Sequence, residues 1–429
     1  MPPEQTGQEG ASSEGTVSEG TSSEPAAEDT EPAEALETAE PAALAGPPVI
    51  PAGENCGFTD FDTALIAFLE ENGWGRENLL VSPLSLRAAL ALAVSGAAGD
   101  TETALLTAMG FASAGEAAEW YDRVMQGVAS FESRLQRERE WYAQYPADFG
   151  NVEPDRAYRI ANSIWNNADG AGTFRPEFVE AAEQRFGAAA ASLPGAELAE
   201  AVNAWVNERT EGMIPALAED LSETEAVLVN VLYLRSVWNK TFSADNTLPM
   251  TFTTAEGEGV EKDFMSQQDS FGYYADEDTA LVVLPMQGSI SAAFVLGDTS
   301  DISEKLSQAE RCEVLVTIPK IELECSLSDG ELTGFLAERG AGIALSEDAD
   351  FSGMSETPWF IRDILQKSRL RMDEDGLEAA AATAVLMDNA LVMEPETVQE
   401  FTADRPFALY VYSTYGEQPE LLFFGQYLY

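Results

Sequence analysis

The side chains that carry most enzyme chemistry are incomplete in this chain, which has 75 acids and 23 bases in 429 residues and no histidine at all. Without an imidazole there is no Ser-His-Asp or Cys-His nucleophile pair and no histidine-held metal. The other candidate constellations fail on spacing. Gly96-Ala97-Ala98-Gly99-Asp100-Thr101 lacks the lysine that a phosphate loop carries after its last glycine. It reads as a turn following an apolar helix that begins near Leu86. Asp373-Glu374-Asp375-Gly376 resembles a calcium loop until Gly376 is set at position six, which puts Arg371 and Ala382 where the first and last carboxylates belong. Asn239-Lys240-Thr241 is a lone glycosylation sequon, a pattern that arises readily by chance. Of the three cysteines, Cys56, Cys312 and Cys325, at least one is unpaired. Cys312 and Cys325 are expected to flank a single strand, too far apart to bridge. No cofactor and no metal are expected, and the protein is not expected to be an enzyme.

What remains is chemistry done by a backbone. In Glu374-Asp375-Gly376-Leu377-Glu378-Ala379-Ala380-Ala381-Ala382-Thr383 four consecutive alanines follow a glycine. Alanine has the best intrinsic helix propensity, yet the segment also alternates. One face at a two-residue period from Leu377 reads Leu377, Ala379, Ala381, Thr383, Val385, Met387, all uncharged, while Glu378 and Asp388 lie on the other. Such a segment fits a half-buried strand. Its small side chains anchor little, so it fits a mobile loop equally well. A sequence compatible with both states is what a conformational switch requires.

The rest of the chain bounds the partners. Residues 1 to 53 consist almost wholly of Glu, Ala, Ser, Thr, Gly and Pro with no Lys or Arg. They cannot bury enough apolar surface to offset their ordering entropy, and read as a disordered acidic spacer. Residues 54 to 429 read as one large domain, since no linker divides them and 45% hydrophobic residues overall supply a sizeable core. The net charge of −52 leaves the body strongly acidic, with 64 acids against 23 bases beyond residue 50. Nucleic acid and anionic membranes are disfavoured, because both need basic patches. No run of roughly 18 apolar residues exists to span a membrane. Met1-Pro2-Pro3-Glu4 lacks the basic and apolar regions of a signal peptide. The spacer's composition leads us to expect an extracellular or cell-surface protein whose leader or anchor is not part of this sequence.

The Glu374–Thr383 segment resembles the proximal hinge of the reactive-centre loop in inhibitory serpins, a family of serine protease inhibitors. Other segments agree in order. Asn78-Leu79-Leu80-Val81-Ser82-Pro83-Leu84-Ser85-Leu86 and Gly96-Ala97-Ala98-Gly99-Asp100-Thr101 are similar to the N-terminal signature. Ala161-Asn162, Asn203-Ala204-Trp205-Val206, Asn230 through Trp238 to Phe242, Pro319-Lys320, Ala349-Asp350-Phe351-Ser352-Gly353, Ala403-Asp404-Arg405-Pro406-Phe407 and Phe423-Phe424-Gly425 match the remainder.

The resemblance implies an α+β serpin fold over residues 54 to 429: three β-sheets, eight or nine helices and an exposed reactive-centre loop. It implies a monomer that inhibits a serine protease irreversibly and covalently. The protease attacks the loop as substrate, forms an acyl-enzyme, and is carried away when the cleaved loop inserts into the central sheet as a strand. A 17-residue strand spans roughly 56 Å. By resemblance Ser82, Ser85, Asn230 and Gln366 form the site where the sheet opens. Gln366 stands where the family has a histidine, so pH dependence from that group is lost. By themselves Ser82, Ser85 and Asn230 read as polar residues satisfied locally at a helix start and strand end, and Trp238 as a core aromatic. The family places Trp238 where the loop enters, together with Lys320 and Glu374, which match a bridging pair; an exposed bridge would be worth at most about 1 kcal/mol. The reactive bond, counted to the seventeenth residue from Glu374, lies between Ala390 and Leu391, with slippage to Val392 allowed by a somewhat long loop. Residues 374 to 400 contain no Lys or Arg, which disfavours trypsin-like targets and favours elastase-like ones, then chymotrypsin-like or subtilisin-like enzymes. Leu377 departs from the threonine, serine or valine usual at its place. A serpin fold turned to carrier, chaperone or storage duty is the alternative.

Overall fold

The computed structural model describes residues 58–142, 157–170, 172–327, 330–377, 398–415 and 419–429. The acidic segment 1–53, the hinge residues Glu378, Ala379, Ala380, Ala381, Ala382 and Thr383, and the bond between Ala390 and Leu391 lie outside the described residues.

Among the described residues there are eight α-helices: α1 (Asp60–Glu71), α2 (Pro83–Val94), α3 (Gly99–Met109), α4 (Ala114–Tyr142), α5 (Pro176–Phe186), α6 (Gly195–Arg209), α7 (Ile302–Ser307) and α8 (Glu331–Leu336). Their sequences show why they form. Helix α1 starts on a capping box in which the Thr59 hydroxyl accepts from the Asp62 amide while the Asp62 carboxylate accepts from the Thr59 amide. Helix α2 begins with Ser82 as cap and Pro83 in its first position, and buries every residue from Pro83 to Val94. A helix apolar almost all round belongs inside the molecule. A turn at Ser95–Gly96 follows α2, while Gly99-Asp100-Thr101, expected to belong to the turn, open α3 instead.

The strands form two hydrogen-bonded ladders. The larger runs β1 (Leu79–Val81), β15 (Glu420–Tyr427), β14 (Phe407–Ser413), β8 (Ile290–Gly297), β7 (Thr279–Met286), β6 (Gly259–Ala275), β9 (Glu310–Pro319) and β13 (Gln399–Thr402), with β5 (Thr247–Thr253) also on β6. Strand β6 belongs to two groups: its Gly272–Ala275 end pairs β7, and its Gly259–Met265 end pairs β5. Three sheets are expected, and among the described residues the strands form two ladders, because β6 runs on from its β5-paired end to its β7-paired end and joins both groups into one. The second ladder has the order β10 (Ile321–Leu327), β11 (Asp363–Met372), β12 (Gly376–Leu377), β4 (Ala226–Val237), β2 (Ala157–Asn167) and β3 (Ala189–Leu193).

Strand β4 is buried on both faces, as its near-continuous apolar sequence requires. Leu228, Leu232 and Leu234 face the main core, which includes α2. Val227, Val229 and Val231 face the other way, against Leu198, Val202 and Val206 of α6. Asn230 is the polar residue that interrupts the leucine row on the α2 side.

One sequence reading is corrected. Cys312 and Cys325 do not flank one strand: Cys312 is in β9 and Cys325 in β10, with the chain turning at Lys320 between them. Cys325 is free, and burial pushes its thiol up to about 11, leaving it unreactive.

Among the many acids of the body, Glu420 stands apart. It accepts from the Trp120 indole at 3.1 Å. Burial first, and then Asp62 nearby, push its carboxyl up to about 7, against the opposing pull of Arg87 and Arg123. The fold therefore binds a proton that the unfolded chain has already released between about pH 4.5 and 7. Stability from this group is greatest below that window and falls as pH rises through it. Glu420→Gln keeps the acceptor for Trp120 and should stabilise the protein at pH 8 by on the order of 1 kcal/mol while leaving pH 4.5 unchanged. Thermal melting at the two pH values checks this, and an equal effect at both contradicts it.

Candidate functional site

Strand β12 is two residues long, and it sits between β4 and β11. Gly376 and Leu377 pair antiparallel with Val237 and Ser236, and Leu377 pairs also with Met372 of β11. The first residues of the alternating segment are thus strand within the sheet, with Leu377 only 2% exposed on the α2 face of the core. Gly376 is required here. At φ +149° its added Cβ would lie 2.3 Å from the Ser236 carbonyl oxygen.

Side chains and backbone amides hold the chain just ahead of β12. The Trp238 indole donates to the Asp373 carbonyl at 2.9 Å, and its amide donates to the Asp375 carbonyl at 3.0 Å. The Phe242 amide holds the Glu374 carbonyl at 2.8 Å, and the Phe242 ring packs edge-on against Trp238. Lys320 and the Thr247 hydroxyl both reach Glu374 Oε1 at 2.7 Å. Burial raises the Glu374 carboxyl, but the hydrogen bonds from Lys320 and Thr247 outweigh it and hold it below the ordinary range. The ion pair is less exposed than the sequence leads one to expect, because Glu374 keeps only 16% of its side-chain surface.

Further along the same two strands, β4 and β11 pair directly and in parallel, over Val227–Asn230 against Asp363–Gln366. No further pairing between these strands occurs among the described residues. Gln366 and Asn230 are therefore the last pair before the strands part. The Gln366 side chain grips the backbone of Ser82 at both ends: Oε1 accepts from the Ser82 amide at 2.8 Å, and Nε2 donates to the Ser82 carbonyl at 3.0 Å. The Ser82 hydroxyl accepts from the Ser85 amide at 3.2 Å. Asn230 donates to Asn162, which donates to the Tyr121 hydroxyl at 3.2 Å, which in turn donates to the Phe186 carbonyl at 2.6 Å.

The four residues expected at the sheet-opening site thus come together around one pair of strands, though not in one network. The local reading fits Ser82 and fails for Ser85, whose Oγ is buried with no partner among the described residues, as is Asn230 Oδ1. Sequence reasoning misses Asn162 and Tyr121 as members of this site. Asn162 belongs to the Ala161-Asn162 motif, but only its pairing in β2 opposite Asn230 reveals the contact. Thr247, similarly, carries no signal apart from its place at the start of β5.

The chain's residues 57–429 match the family described as Serpin (serine protease inhibitor). The chain belongs to the serpin family. Its sequence is 28% identical to leukocyte elastase inhibitor of Sus scrofa over 379 residues, which cover 81% of this chain and 92% of that protein. It is 28% identical to serpin B6 of Pongo abelii over 377 residues, covering 82% and 93%. Among solved structures, Serpin48 of the insect Tenebrio molitor, described as a highly specific serpin, matches with a TM-score of 0.69 at 26% identity, covering 86% of this serpin and 96% of that chain. The activity named for the family is inhibition of serine proteases. Among the described residues of this serpin, no helix is long and apolar enough to cross a membrane.

Proposed function

We propose that this serpin is an irreversible suicide inhibitor of an elastase-like serine protease, trapping the acyl-enzyme by inserting its cleaved reactive-centre loop between β4 and β11. The observation that carries this reading is β12. Two residues of the hinge are strand between these partners already, and among the described residues β4 and β11 are not paired with each other from there to Gln366 and Asn230. Insertion then means lengthening a strand that has begun, a form of strand addition in which backbone pairing supplies the energy. Trp238, Phe242, Lys320 and Thr247 hold the chain just ahead of that strand. Ser82, Ser85, Asn230 and Gln366 sit where the sheet must part.

For the target, relatives named leukocyte elastase inhibitor and the absence of Lys and Arg from residues 374 to 400 both favour a small apolar pocket receiving Ala390. Chymotrypsin-like and subtilisin-like enzymes follow. The serpin acts as a monomer, meeting one protease per loop. The extracellular or cell-surface placement rests only on the composition of residues 1 to 53, and the relatives' names lend it no support.

Incubation with elastase-like and subtilisin-like proteases should give a complex that survives a denaturing gel. Mass spectrometry of the released C-terminal peptide should find Leu391 as its first residue. Cleavage without any stable complex overturns the suicide mechanism and leaves the carrier or storage reading. A peptide beginning outside residues 391 to 393 overturns the assigned bond.

A further inference from the structure

We propose that the protease engaged on the loop also rests on the hairpin of β5 and β6, against an apolar row formed by Leu248, Met250 and Val260. This rests on the suicide-inhibitor reading above and adds a contact outside the loop, which selects proteases with an apolar surface beside the active-site cleft.

Among the described residues six large apolar side chains are exposed, and three of them belong to this hairpin: Leu248 at 61%, Met250 at 37% and Val260 at 37%. They share one face. Leu248, Met250 and Phe252 alternate along β5, and Val260 stands opposite Phe252. Phe252 itself is fully buried against Tyr427 and Phe407, so the row runs from the core out to the surface. Lys262 faces Met250 across the hairpin, with its ammonium over the Tyr427 ring, 5.6 Å from the centroid. Glu261 and Asp263 alternate onto the other face. In a body with 64 acids against 23 bases beyond residue 50, a contiguous exposed row without a carboxylate marks a contact with another protein.

The position of β5 names the occupant. Ahead of the loop, the Thr247 hydroxyl bonds Glu374 at 2.7 Å. Behind it the chain returns through β13, and the Thr253 amide donates to the Asp404 carbonyl at 2.7 Å. Leu248 and Met250 lie between these two ties, so a protease bound to the chain between Leu377 and Val398 is brought against this hairpin. The backbone of β5 argues against a different occupant, a second strand. Among the described residues β5 pairs only with β6. Asp263 gives its carbonyl to the Lys320 amide on the β9 side, so Pro249 opposite it turns its backbone to the outer edge. Proline has no N–H to offer there, and the outward amide of Thr253 is taken by Asp404. An edge interrupted in this way resists strand pairing. The partner is met by side chains.

The test replaces Leu248→Gln and Met250→Gln together in the full chain and uses a protease that the wild type traps. Three quantities are read: the second-order rate of trapping, the stoichiometry of inhibition, and the affinity for the same protease with its nucleophilic serine replaced by alanine. The double variant should trap on the order of tenfold more slowly and bind the inactive protease on the order of tenfold more weakly. Both losses should persist at molar salt, because the contact is apolar. Stoichiometry and native melting temperature should match wild type, since the loop and the sheet it enters are untouched. The apolar exchange Leu248→Met with Met250→Leu should restore rate and affinity. Unchanged rate and affinity in the double variant overturn the contact while leaving trapping intact. A loss seen only at low salt overturns its apolar nature. A concentration-dependent dimer of the wild type that the double variant abolishes gives the row to a second copy of the chain, and overturns the protease as occupant. A wild type that traps no protease overturns the suicide-inhibitor reading, and this proposal with it.

Discussion

Thr383→Arg should turn the inhibitor into a substrate. In the register set by β12, this side chain enters opposite Asn230 and Gln366 on the face that packs against α2. Leu228 and Leu232 flank Asn230 there at 0% and 8% exposure. A guanidinium forced into that layer without a carboxylate costs several kcal/mol. Insertion would advance over residues 378 to 382 and stall before the first closed pair, while deacylation proceeds at its own rate. The stoichiometry of inhibition should rise by more than about tenfold, with cleavage itself unimpaired.

Ala382→Arg is the comparison. Alternation alone places it on the opposite face, in solvent. The fold modifies that expectation, because the position falls beside Val231, which is 3% exposed and packed against α6. The other neighbour, Lys367, is partly exposed and paired with Glu324. An arginine at 382 can turn toward that side, so its effect should be smaller than that of Thr383→Arg but measurable. Equal loss of inhibition in the two variants, or none in either, contradicts the register.

The hinge is legible in the sequence because its pattern is local: small residues at alternate positions behind a glycine describe a strand waiting for partners. Its destination is not. Nothing in the sequence says that Leu377 is already paired on both sides, since that depends on β4 and β11, far apart in the chain, running in parallel. The unusual leucine takes on meaning only there. Its burial between the strands contributes about 1.5–3 kcal/mol, an anchorage that threonine or serine would lack. The same limit applies to Asn230. As a lone polar residue in an apolar run it marks a buried site, but its chain of contacts through Asn162 and Tyr121 crosses two strands and two helices.

From sequence Gln366 reads only as a histidine substitute without charge, and the structure gives it a specific occupation, a two-point grip on Ser82. An imidazole ring cannot donate and accept along one edge in this way, whereas an amide can. For Trp238 the core-aromatic reading is incomplete. Its burial is that of a core residue, yet its indole and backbone both bind the segment from Asp373 to Asp375. Cys312 and Cys325 are misplaced by the sequence for a simple reason: a strand break at a single residue, Lys320, leaves almost no trace in composition.

On the proposed mechanism the loop supplies, after cleavage, a strand that β4 and β11 do not have between them among the described residues beyond Leu377. Residues 378 to 386 would add about nine residues of central strand, paired on both sides and running from the end of β12 to the start of β11. Even about 1 kcal/mol net per hydrogen bond makes the gain far larger than the conformational cost recovered by nicking a loop. The measurement is the melting temperature of the protein before and after cleavage at the reactive bond, with the two pieces kept together. The cleaved form should melt on the order of 10 °C or more above the native form. A cleaved form that melts at the native temperature or below it would contradict insertion between β4 and β11.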